Sequence, residues 1–215
     1  MELKGQRQGA AALAALLKES YAQLRSARNL FLGADMGKPP TFAHWRTLGT
    51  HLARCGSLPM LQKLDIRRSV IGDEGVALLA DGLRRGRLPS LNSLVLVGNP
   101  LGDAGLAALL PALRRLPTLK HLFLGYDQIG DQGVASLLAP PAAGVLPSLE
   151  RLRLNTNQIT DEGCATLASA LRDGALPELT MLDLDGNPAS EEAQAAACEV
   201  PNARLDALAN EELHS

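Results

Sequence analysis

The stretch LPSLERLRLNTNQITDEGCATLASALRDGA, residues 146–175, changes its hydrophobic period halfway along. Leu152 and Leu154 alternate with Arg151 and Arg153, the two-residue spacing of a strand. Beyond Asp161, Leu167 and Leu171 stand four apart, the spacing of a helix. Thr160 sits where a helix cap is needed. Asp161 follows in the first turn, where the helix dipole favours negative charge. The stretch therefore encodes one strand, one tight turn and one helix.

Copies of this unit flank it. Leu58, Leu88, Leu116, Leu146 and Leu176 open successive units at spacings of 30, 28, 30 and 30 residues, and a weaker unit opens at Leu24. Each regular copy carries three apolar frame positions: Leu61/Leu64/Ile66, Leu91/Leu94/Leu96, Leu119/Leu122/Leu124, Leu149/Leu152/Leu154 and Leu179/Leu182/Leu184. Three residues past the frame stands a small polar residue, Ser69, Asn99, Asp127, Asn157 or Asn187, with Asp35 in the weak unit. Gly72, Gly102, Gly130 and Ser190 take the place of Thr160, and Asp73, Asp103, Asp131 and Glu191 that of Asp161. Repetition at this period means stacked supersecondary units. One unit alone exposes both flanks, so stability comes from stacking. Strands of one direction separated by helices pair in parallel. The expected fold is α/β: a right-handed βα solenoid. Helices are wider than strands, so the parallel sheet should lie on the concave side and the helices on the convex side.

The frame L-x-x-L-x-L-x-x-N, followed by x-(I/L)-x-(D/E)-x-G and a helix, resembles a leucine-rich repeat. A unit of 28–30 residues with Gly75, Gly105, Gly133 or Gly163 three residues past the cap resembles the ribonuclease-inhibitor subtype. That subtype also occurs in Ran GTPase-activating proteins and NOD-like receptors. The resemblance is strong over 58–190 and weak over 24–57. It implies a horseshoe and a binding role. It also implies that Ser69, Asn99, Asp127, Asn157 and Asn187 form a buried ladder bonding the backbone that leaves each strand, which would satisfy otherwise orphaned amides. Ser69 and Asp127 depart from Asn, which puts the turn geometry there in question.

The continuous repeat argues for one solenoid domain: an N-terminal capping helix in 1–23, a degenerate first repeat with a loop insertion in 24–57, regular repeats over 58–190, and a last helix with a C-terminal cap in 191–215. Leu13, Leu16, Leu17, Tyr21 and Leu24 give the capping helix its apolar face. The competing reading of that segment is a signal peptide, from Lys4, Arg7 and the apolar stretch 10–17. The stretch is short, Glu2 interrupts the basic region, and no A-x-A follows. Lys38-Pro39-Pro40 marks the insertion as a loop, leading to a helix of about 41–54 whose Phe42 and Trp45 should plug the end of the core. Pro111 predicts a kink or early stop, Pro140-Pro141 a helix end, and Pro201 a boundary between a helix of 191–199 and a short cap.

Hydrophobic residues make up 46% of the 215-residue chain and its net charge is −2, which places it among globular proteins and gives no reason to expect nucleic acid or a membrane surface as partner. Three widely spaced cysteines, Cys55, Cys164 and Cys198, read as reduced core residues, so a cytoplasmic location is expected. His44, His51, His121 and His214 lack partners at metal spacing. No nucleophile elbow or phosphate loop occurs, and the recurring carboxylates lie along an edge rather than in one cleft. The chain is expected to act without cofactor or metal, as a monomer, and not as an enzyme.

Residues between the frame leucines should form the working surface. One column reads Phe31, Asp65, Val95, Phe123, Arg153, Asp183; the next Gly33, Arg67, Val97, Gly125, Asn155, Asp185; the next Ala34, Arg68, Gly98, Tyr126, Thr156, Gly186. Strands about 4.8 Å apart make each column continuous. Val95, Val97, Phe123 and Tyr126 would form an exposed apolar centre, with Arg67 and Arg68 on one side, Arg151 and Arg153 on the other, and Asp183 and Asp185 at the C-terminal end. Aromatics are only 3% of the chain, so Phe31, Phe123 and Tyr126 on one face are informative. Apolar and aromatic residues ringed by arginine have the composition of an interaction hot spot. The competing reading is that Phe123 and Val95 satisfy strand packing. The leading expectation is a protein partner on this concave face, with neither Phe123 nor Tyr126 contributing much to stability. The alternatives are a GTPase regulator of the Ran GTPase-activating type and a sensor fragment of a NOD-like receptor.

Overall fold

The structure, a computed structural model, describes residues 2–4, 26–33, 42–54, 58–85, 88–139 and 146–213. Strands and helices alternate: β1 (Glu2–Lys4), β2 (Asn29–Phe31), α1 (Phe42–Arg54), β3 (Lys63–Asp65), α2 (Asp73–Arg85), β4 (Ser93–Val95), α3 (Asp103–Leu113), β5 (His121–Phe123), α4 (Asp131–Leu138), β6 (Arg151–Arg153), α5 (Asp161–Arg172), β7 (Met181–Asp183) and α6 (Glu191–Leu213). The strands form one open parallel sheet in sequence order, β1 to β7. This is the leucine-rich-repeat βα solenoid. Register matches the repeat: Leu30, Leu64, Leu94, Leu122, Leu152 and Leu182 stand side by side. The frame leucines face the helices and close the core; Leu64, Leu94, Leu122 and Leu152 are fully buried.

The polar residue after each frame is the buried ladder. Asn99 Oδ1 accepts the amides of Ser69 at 3.0 Å and Ile71 at 3.1 Å, while its Nδ2 donates to the carbonyls of Ile66 and Leu96. Asn157 Oδ1 accepts from the Ile129 amide at 2.9 Å, and its Nδ2 donates to the carbonyls of Leu124 at 2.7 Å and Leu154 at 3.0 Å. Asn187 repeats this with the amides of Asn157 and Ile159 and the carbonyls of Leu154 and Leu184. Ser69 manages with less: its hydroxyl reaches the carbonyls of Leu32 and Arg67, both at 3.2 Å. Its turn also differs from the others, since Val70 adopts φ 54° and is exposed. A branched residue there is strained, and the equivalent Pro100, Gln128, Gln158 and Pro188 are not left-handed.

A second ladder runs along the helix starts. The carboxylate of Asp73 accepts the amide of Gly102 in the next unit at 2.8 Å; Asp103 does the same for Gly130, Asp131 for Thr160 and Asp161 for Ser190. Each aspartate thus stitches its unit to the next, besides facing its own helix dipole. Gly102 and Gly130 cap helices with no side chain of their own, so this bond is what their amides receive. It also explains Gly105, Gly133 and Gly163, where a Cβ would meet the aspartate of the preceding unit. A Cβ on Gly105 would collide with the Asp73 carboxylate and the Leu101 side chain, and would lie 3.0 Å from the Asp73 Cα.

The prolines act unevenly. α4 stops at Leu138, before Pro140. α3 continues through Pro111 and ends two residues later, at Leu113. α6 corrects the expected boundary at Pro201: one helix spans Glu191–Leu213 with Pro201 buried inside it. Both of its halves are anchored on the last unit. Ala197 is buried and Cys198 and Val200 pack on the core before the proline, and Arg204 after it donates to the carbonyls of Leu176 at 2.8 Å and Leu179 at 3.3 Å. Trp45 on α1 is buried, as expected of a core plug. The expected capping helix lies outside the described residues; within 1–23 the structure describes only β1, an added edge strand that the leucine pattern did not announce. The loop 34–41, the Asp35 ladder position and Cys55 also lie outside the described residues.

Gly105 is the third residue of α3, and replacing a helical glycine by alanine ordinarily stabilises, by about 0.5–1 kcal/mol in a helix interior. Gly105→Ala should reverse that sign and destabilise by about 1–2 kcal/mol, because overpacking against fixed neighbours outweighs the helix gain. Urea denaturation of the purified variant decides it; a midpoint equal to or above the parent's contradicts the second ladder.

Candidate protein-binding face

Strand alternation turns the residues between the leucines toward the open face of the sheet. The structure brings the expected residues to that face but sorts them differently. Val95, expected at an exposed apolar centre, is 1% exposed. It stands in register between Asp65 and Phe123, so lateral neighbours close over it. Val97 is half-buried. Phe123, expected to be exposed, is also half-buried. Its ring stacks on His121 with centroids 6.0 Å apart and planes within 3°, and the Arg153 guanidinium lies 5.1 Å from its centroid. Much of Phe123 is therefore strand packing, the competing reading weighed for it.

His121 is a residue the columns passed over, although it stands two before Phe123 and so shares its face. Burial, then the Arg151 charge, lowers its pKa below the usual imidazole range. A neutral ring suits the stack on Phe123.

The charged residues are largely paired. Asp65 is buried and is held by Arg67, whose Nε and Nη2 donate to its two oxygens at 2.9 and 2.5 Å, with Lys63 Nζ 3.6 Å away. Lys63 also lies over half-buried Phe31, 5.4 Å from the ring centroid. Arg153 stands 3.8 Å from Asp183 on the adjacent strand. Arg67, Arg68, Arg151 and Arg153 are exposed, as is Asp185; Asp183 is half-buried.

Tyr126 is the exception, 62% exposed with φ 59°. Every described member of its column is left-handed: Arg68 at 52°, Gly98 at 72°, Thr156 at 55° and Gly186 at 74°. Two units fill this position with glycine, the residue that adopts such a conformation freely. A tyrosine there carries a conformational cost and gains little burial. Beside it runs an open groove of about 520 Å³, lined by Tyr126, Thr156, Gln158, Gly186 and Pro188 and floored by the ladder residues. The groove could be found only once Tyr126, Thr156 and Gly186 were known to line up across turns.

Little chemistry accompanies this face. Among the described residues no group of three metal-type ligands occurs. No helix among them is long and apolar enough to cross a membrane. Burial pushes the Cys164 thiol up to about 11 and raises that of Cys198, whose Sγ contacts the Leu182 carbonyl at 3.5 Å, so both stay protonated near neutral pH.

The family described as "Leucine Rich repeat" matches at residues 57–80, 87–110 and 145–168, three of the units described above. Among solved structures, the leiomodin-1 actin-binding site 2 (ABS2) is similar with TM-score 0.59 and 13% identity, covering 81% of this chain and 96% of that one. The tropomodulin C-terminal domain of Caenorhabditis elegans is similar with TM-score 0.52 and 14% identity, covering 94% of this chain and 99% of that one. At such identities the likeness concerns the fold. No curated protein matches the chain.

Phe123→Ala should lower stability by about 1–2 kcal/mol, the sum of a lost ring stack and a cation–π contact. Thermal melting of the variant checks this. An unchanged Tm would mean that the His121–Phe123–Arg153 stack does not hold the face together.

Proposed function

We propose that this leucine-rich-repeat solenoid is a protein-interaction module, and that its partner docks on the open, concave side of the sheet, centred on Tyr126 and the groove beside it. Exposed Arg68 stands two units earlier in the same column, exposed Arg151 and Arg153 lie on the adjacent strand, and Asp185 gives the C-terminal end the opposite charge. Tyr126 carries the reading: a large, solvent-facing aromatic held in a left-handed conformation that two other units, at Gly98 and Gly186, give to glycine. Residues kept in sparsely populated backbone regions cluster at functional sites, and tyrosine is enriched among interface anchors. Contact alone delivers such an activity, so no cofactor and no catalytic group is required. The reading favours binding over GTPase activation because an exposed aromatic beside a groove is a feature of a docking surface.

One fold neighbour bears an actin-binding site in its name. Actin is therefore the first purified probe, by co-sedimentation and by titration of monomer, before partners are sought by affinity capture. Whichever protein binds, Tyr126→Gly is the informative variant. It removes the anchor while giving the backbone the residue that its φ favours. Binding should weaken by about 2 kcal/mol or more, the usual size for an anchor, with Tm unchanged or raised. Arg84→Ala with Arg85→Ala, a pair on α2 bonded to Asp81, should leave binding intact. Unchanged affinity in Tyr126→Gly, or loss in the α2 variant instead, would overturn the proposal.

A further inference from the structure

One rung of the ladder is not an amide. At 157 the side-chain oxygen accepts a backbone amide, and the side-chain nitrogen donates to the carbonyl of its own frame and to that of the preceding unit. Asp127 occupies the same place with two oxygens. Its Oδ1 accepts the Asn99 amide at 2.6 Å. Its Oδ2 is buried and has no hydrogen-bond partner. By the repeat register, the groups an asparagine nitrogen would meet there are the carbonyls of Leu124 and Leu96. Carbonyls and an ionised carboxylate all accept hydrogen bonds, so none can satisfy another.

We propose that Asp127 is a proton-binding site of the folded protein: a proton on Oδ2 supplies the donor that the ladder lacks at this rung, and losing it leaves a buried, unpartnered charge in the middle of the solenoid. The proton is taken from solvent on folding and returned on unfolding. Only the protonated carboxyl mimics asparagine, accepting through one oxygen and donating through the other.

The surroundings offer the charged form little help. The titratable groups on the elements around this turn are His121 on β5, Arg151 and Arg153 on β6, Asp103 on α3, Asp131 on α4, Asp161, Glu162, Cys164 and Arg172 on α5, and Tyr126 beside it. Asp103, Asp131 and Asp161 are each engaged with a helix-cap amide, Arg153 lies over Phe123, and Tyr126 faces solvent. Burial dominates and pushes the Asp127 carboxyl up to about 8, against the opposing pull of the Asn99 and Leu101 amides.

In the unfolded chain the carboxyl titrates near its ordinary 3.8, so between there and about 8 the folded state holds the extra proton. Stability from this rung is fully present below that window, falls as pH rises through it, and levels off above about 8. One proton changes the folding equilibrium constant by at most tenfold per pH unit.

The test compares the parent with Asp127→Asn, measuring folding constants by urea denaturation at steps from pH 5 to pH 9. The asparagine variant carries a permanent donor, so its advantage over the parent should grow by up to tenfold per unit and then level off near pH 8. Asn157→Asp should acquire the parent's dependence at a second rung. A ratio of folding constants that stays flat across the range overturns the proposal. A readout on the unmodified protein guards against variants that fail to fold. At pH 6 its infrared spectrum should contain a protonated-carboxyl C=O band that ordinary, ionised aspartates do not give. Absence of that band in the folded parent overturns the proposal as well.

Discussion

Each unit from Leu58 onward turns from strand to helix over a buried or half-buried polar residue, where the backbone leaving the strand is shielded from water. Its amides and carbonyls must still be bonded, because an unpaired buried group costs about 1–3 kcal/mol. The side chains of Asn99, Asn157 and Asn187 meet that requirement with groups from two adjacent units at once. Turn geometry and stacking are therefore one constraint, and a unit cannot complete its own turn without a neighbour. The aspartates at the helix starts add a second line of bonds between units, and the glycines that follow them keep it clear. The leucine core supplies most of the favourable free energy, but the ladders fix the register that brings Leu64, Leu94, Leu122 and Leu152 into line.

The candidate binding face is a consequence of that turn. The residue just before each of these ladder positions must enter the left-handed region, which is where Arg68, Gly98, Tyr126, Thr156 and Gly186 stand. Their side chains, where present, are carried out of the sheet plane toward solvent at the rim of the face. Tyr126 thus owes its exposure to the hydrogen bonding of its neighbour Asp127. The strand residues behind the rim pack sideways instead, Phe123 against His121 and Arg153, and Asp65 against Arg67. A partner would meet a rigid floor with one projecting ring.

The architecture was legible because leucines recur with two periods inside one longer period, and no other arrangement buries them. The buried ladder was legible through the resemblance those residues carry. Other features were hidden for identifiable reasons. Recurrence of Asp73, Asp103, Asp131 and Asp161 shows that the position matters, but not that each carboxylate serves the next unit's helix. Column reading gives the face of Val95, not its exposure, which depends on the lateral neighbours Asp65 and Phe123. Pro201 reads as a break because proline removes a helical hydrogen bond; contacts from Ala197 and Arg204 to the last unit hold α6 together across it. Tyr126 was found by its rarity as an aromatic, and its left-handed backbone became visible only in three dimensions.

Native-state hydrogen exchange at the ladder amides tests the central claim most directly. The amides of Asn99, Ile129 and Ile159 are bonded to side chains of adjacent units. If the ladder ties the units into one structure, these turn amides should exchange only through the same opening that releases the strand amides of β4, β5 and β6, with equal protection. Fast exchange at Ile129 and Ile159 while those strands remain protected would show that the turns open on their own, and that the ladder does not hold the solenoid together.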